Sequence, residues 1–192
     1  MSEPRIFNVA SALGRESLAG IAAGRGALAS LMPAVSAAAG AVYLDFKGIE
    51  LITASAFREA VLPVVALITA AGRACILVNV NTTTKEEACL AAERMNVVLV
   101  FGDLAKGELR DLVAAGQLEE KHAIALRIVL ELGEADAKAV KDQSGESTVT
   151  TVWNNRLVAL HKMGLLKERK VGKTKLYSPI VEGMSYGTGF HP

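Results

Sequence analysis

Four short, nearly unbroken apolar runs, at 6–10, 42–46, 75–80 and 97–101, constrain the first part of this chain more than any other feature. Strands that are apolar on both sides need cover on both faces of their sheet, and the commonest cover is helices between parallel strands. The intervening stretches fit. Residues 14–35 are Ala-rich and read as a helix weakened in its middle by Gly20, Gly24 and Gly26. Residues 55–71 carry Phe57, Val61, Val64, Val65 and Ile68 at helical spacing. A helix is expected over 85–95, with glutamates in a first turn that suits the helix dipole. A last helix is expected over 107–115. The first part therefore reads as an α/β domain with a largely buried parallel or mixed sheet.

The pattern changes near Gly116. Residues 119–132 read as a helix with Ile124, Ile128 and Leu132 on one face, ended by Gly133. A short helix over 135–142, a turn at 143–145 and a third helix over 147–163 follow, the last closed by Gly164. Two strands, 165–169 and 175–180, then flank a basic turn. The expected division is a domain over 1–116, a second of α+β type over 117–182, and a tail over 183–192.

Charge is distributed unevenly. The whole chain has a formal net charge of +1. Residues 147–180 hold seven lysines and arginines against a single acid, Glu168, whereas 117–146 hold four against seven. A basic block inside a folded segment points to a polyanionic partner.

On a wheel of about 100° per residue, Val149, Trp153, Leu157 and Leu160 share one face of the third helix and are expected to pack on the two before it. The opposite face carries Thr148, Thr151, Asn155, Val158 and Lys162, with Asn154 at its margin. Asn pairs well with adenine, and Thr suits a base edge or a thymine methyl, so the N-terminal end of this helix can read a major groove. Lys162 suits a phosphate, as do Lys167, Arg169, Lys170, Lys173 and Lys175 of the hairpin, with Gly172 at its tip able to approach a backbone closely. Trp153 and His161 read as a core and a surface residue.

The segment Ser147-Thr-Val-Thr-Thr-Val-Trp-Asn-Asn-Arg-Leu-Val-Ala-Leu-His-Lys-Met-Gly-Leu-Leu, with the following Lys-Glu-Arg-Lys-Val-Gly-Lys-Thr-Lys-Leu-Tyr177, resembles the recognition helix and wing of bacterial winged helix-turn-helix regulators. The resemblance covers about a third of the chain and implies binding to double-stranded DNA. The alternative is a winged helix that docks on protein.

Residues Val42 to Ala60, with Leu13-Gly-Arg-Glu16 upstream, resemble STAS-like domains related to anti-sigma factor antagonists. That similarity runs over about residues 5 to 115 and implies a regulatory or self-associating unit, hence a homodimer or a protein partner bound through this domain. The antagonists' loop carries Asp-Ser-Ser-Gly, where this chain has Thr53-Ala54-Ser55-Ala56. Ser55 remains at a helix N-terminus, either as an ordinary N-cap or as a phosphorylation switch.

Other classes find little footing. No apolar run reaches the roughly 18 residues of a membrane span, and the N-terminus lacks a signal layout. Cys75 and Cys89 show no metal-ligand spacing, so free thiols and a cytoplasmic setting are expected. Gly24-Arg-Gly26 lies inside a helical stretch, unlike a dinucleotide-binding turn. Asp45, Glu50 and Asp103 sit near strand ends without a nucleophile, and His122 and His191 lie outside the first domain. The expectation is a transcription regulator without catalytic residues, metal or cofactor; the rival is a protein-binding adaptor in a partner-switching pathway.

Overall fold

The computed structural model describes residues 3–187. Its centre is a six-stranded mixed sheet. Strands β1 (Arg5–Asn8), β3 (Val42–Asp45), β5 (Cys75–Val78) and β6 (Leu99–Ala105) run parallel in that spatial order. Strand β7 (Glu108–Ala115) returns antiparallel to β6, and β10 (Ser185–Gly187) completes the far edge, parallel to β7. A two-stranded parallel ribbon, β2 (Ser17–Leu18) with β4 (Leu51–Ile52), stands apart.

The expected helix over 107–115 is therefore a strand. Lys106 and Gly107 form a two-residue hairpin loop with φ of 52° and 83°, the mark of a type I′ turn. Gly tolerates that backbone freely, and the turn folds β7 back against β6 before a helix can start.

Helices α1 (Val9–Leu13), α2 (Ile21–Ser36), α3 (Ala54–Ala60), α4 (Leu62–Ala70) and α5 (Thr82–Arg94) belong to the first part of the chain. Their buried side chains, among them Leu31, Val35, Phe57 and Ile68, join Leu44, Leu77 and Leu99 of the strands in one cluster. The reading of 14–35 as one helix gives way to a break: Gly14 closes α1, and Ser17–Leu18 pairs as a strand before α2 begins at Ile21. The single helix expected over 55–71 is two, because Pro63 has no N–H to give the carbonyl four residues back. Helix α5 starts earlier than expected, capped by Asn81, whose side chain accepts from the Thr84 N–H at 2.8 Å. The glutamates at 86 and 87 consequently lie beyond its first turn.

Neighbouring residues along β5 point to opposite sides of the sheet: Cys75 and Leu77 join the first cluster, Ile76 and Val78 a second. The second is shared with the rest of the chain. Helices α6 (Glu120–Leu132), α7 (Ala137–Ser144) and α8 (Thr150–Lys162) and the antiparallel hairpin β8 (Leu166–Val171) and β9 (Thr174–Pro179) follow Gly116. Leu126, Val129, Trp153 and Leu157 bury themselves in the cluster that holds Ile76, Val78, Val98, Val100 and Ala114. The C-terminal helices thus roof the second face of the sheet.

The segment expected to be a tail is partly structural. Ser185 donates its hydroxyl to the Leu112 carbonyl at 3.2 Å, and Tyr186 donates to the Gly116 carbonyl at 3.2 Å. Arg127 of α6 lies over the Tyr186 ring, 5.8 Å from its centre. His191 and its neighbours at 188–192 lie outside the described residues. Among the described residues, no helix is long and apolar enough to cross a membrane.

Candidate nucleic-acid interface

Helix α8 and the β8–β9 hairpin hold the basic block, with seven lysines and arginines against one acid over 147–180. Trp153, Leu157 and Leu160 anchor α8 in the core with no exposure. Val149 does not belong with them, against expectation. It is the N-cap, with extended backbone at φ −76° and ψ 150°, so the 100° step of the wheel does not yet apply, and it is 64% exposed.

On the opposite face, Thr151, Asn155 and Lys162 are exposed, while Asn154 and Val158 are half-buried. Thr148 is also half-buried, and its Oγ1 is shielded without a hydrogen-bond partner. Lys162 sits where the end of α8 meets α4, beside Leu62, Ala66 and Thr69. Arg156 is withdrawn from the outer face. Its guanidinium lies 4.1 Å from the Trp153 ring centre and 3.2 Å from the Glu146 carboxylate.

In the hairpin, Lys170 stands directly opposite Lys175. Like charges in that register are destabilising. Glu168 relieves the pair from one side: its carboxylate accepts from Lys175 at 2.9 Å and from the Tyr177 hydroxyl at 3.1 Å. Those two bonds, the lysine's first, hold Glu168 below the usual carboxylate range. Burial and the same carboxylate push the Tyr177 phenol up. Arg169 makes a two-pronged pair with Glu134, both contacts at 2.6 Å. Lys162, Lys167, Lys170 and Lys173 make no ion pair among the described residues. The fork between Arg169 and Glu134 had no signature in the sequence, since it joins residues 35 positions apart.

Ser55 lies in another part of the molecule. It is not the N-cap of α3; Thr53 is, and the two hydroxyls stand 3.3 Å apart. The first N–H of the helix, at Ala54, donates to the Glu87 carboxylate from α5. A carboxylate therefore already occupies the anion position at this helix terminus. Asp45 is committed to structure, accepting from the Lys47 N–H at 3.0 Å and from the Asn79 amide at 2.8 Å. Cys75 is buried, which pushes its thiol up to about 12, and Cys89 is half-buried; both are free thiols. Among the described residues, no group of three or more His, Cys, Asp or Glu side chains could hold a metal ion.

No protein-family model matches the chain, and no curated protein matches it significantly.

Proposed function

We propose that the chain is a DNA-binding transcription regulator and not an enzyme. In this reading α6–α8 and the β8–β9 hairpin are a winged helix-turn-helix, with α8 as recognition helix and the hairpin as wing. The sheet with α1–α5 is a STAS-like unit that carries regulation and self-association. One observation carries the reading: an exposed polar face on α8, with Thr151 and Asn155, beside a hairpin whose Lys167, Lys170 and Lys173 have no acidic partner among the described residues. Unpaired lysines around a groove-reading helix are what a phosphate backbone requires.

The test is the salt dependence of binding to duplex DNA. Changing Lys170 and Lys173 to Ala should remove about two phosphate contacts and lower the slope of log K against log salt by about two. A full-length protein that retains no duplex but holds a defined protein partner would replace this reading with that of an adaptor.

A further inference from the structure

Five successive β-branched residues, Thr148-Val-Thr-Thr-Val152, lead into α8. Val149 is 64% exposed and Val152 37% exposed. Three ordinary reasons for a valine fail here. Neither side chain joins the buried core. An N-cap favours a side-chain acceptor, and Val149 at that position makes no capping bond. β-Branched residues also lower helix propensity, so the first turn was not chosen to start a helix. A site that breaks local rules without a structural gain is a place to look for contact with something else.

The surroundings say what. The valines border Thr151 and Asn155 on a segment with seven basic residues and one acid, so the partner is polyanionic. The major groove of duplex DNA offers one apolar group, the thymine C5 methyl. We infer that Val149 and Val152 are specificity residues that pack against thymine methyls in the groove read by α8. Stiff, branched side chains suit this, because little rotamer freedom is lost on docking. The inference rests on the DNA-binding reading above and adds the base that is read.

The test uses the full chain and a duplex enriched by it from a random pool. Copies are made in which each thymine in turn is replaced by uracil, which keeps the pairing and lacks only the methyl. At one or two positions the uracil copy should bind about fourfold more weakly, the equivalent of losing one buried CH2-sized group at about 0.8 kcal/mol. A Val149→Ala, Val152→Ala variant should bind thymine and uracil copies equally while melting like the parent. Equal binding of every uracil copy by the parent overturns the inference and leaves DNA binding intact, as does full discrimination by the double variant. Failure to retain any duplex overturns both.

Discussion

Gly164 at the end of α8 touches Thr69 at the end of α4 so closely that a Cβ on the glycine would stand 2.8 Å from the threonine Cβ, and closer still to its methyl. The same glycine has φ of 76°. Backbone conformation and a tertiary contact between the two parts of the chain therefore demand the same residue.

Gly164→Ala should thus cost more than the roughly 1–2 kcal/mol of left-handed strain alone. Combining it with Thr69→Ala should recover part of the excess, read as a coupling energy in a double-mutant cycle of denaturant unfolding. Simple additivity would mean that the contact is slack.

Trp153 belongs to the cluster that also holds Ile76, Val78 and Val100 of the sheet. Trp153→Ala should lower stability by about 3–5 kcal/mol and move a single cooperative transition of the whole chain. Two transitions, one of them unchanged, would show that the sheet and its five helices melt independently.

Glu134 ties up Arg169 on an exposed surface, where such pairs are weak. Glu134→Gln should leave stability nearly unchanged and free one more cation. The salt slope of duplex binding should steepen by about 0.9. An unchanged slope would place Arg169 off the DNA path.

His122, in a cleft with Asn96, Gln117 and Met163, is held below the usual histidine range chiefly by burial. A depressed folded value means the unfolded chain takes up the proton first. The corresponding stability is present above about pH 6.5 and is lost as pH falls through the folded value. His122→Gln should flatten that part of a stability–pH curve; an identical curve would assign the slope to other groups.

A single recognition helix reads a short site, and two-fold regulators extend it with half-sites about one turn apart. The full chain is expected to be a dimer on DNA, which light scattering with and without a duplex would measure. Helices α3 and α4 offer little to self-association, because Phe57, Val61, Val64 and Ile68 are fully buried in the core. The outer side of α2, with Ile21 44% exposed, is the better surface. A monomer bound to one undivided site would overturn this.

The sequence alone determined what depends on neighbours along the chain. Apolar runs located β3, β5 and β6, and the stripe of Trp153, Leu157 and Leu160 located the buried face of α8. The basic turn around Gly172 located the hairpin. These are period and turn signals, written within a few residues. It misread 107–115, where a Lys-Gly turn outweighed helical composition, and Val149, where the helix had not yet begun. Contacts between distant segments belonged to tertiary structure. Nothing local to β8 says that Arg169 would meet Glu134, and nothing local to α3 says that Glu87 would reach its N-terminus. Nor does it say that residues 185–187 would return to the sheet edge. A free strand edge and an uncovered sheet face are satisfied by whichever segment reaches them with matching hydrogen bonds and apolar surface. Only the folded chain decided that the C-terminal helices would supply that surface and β10 that edge.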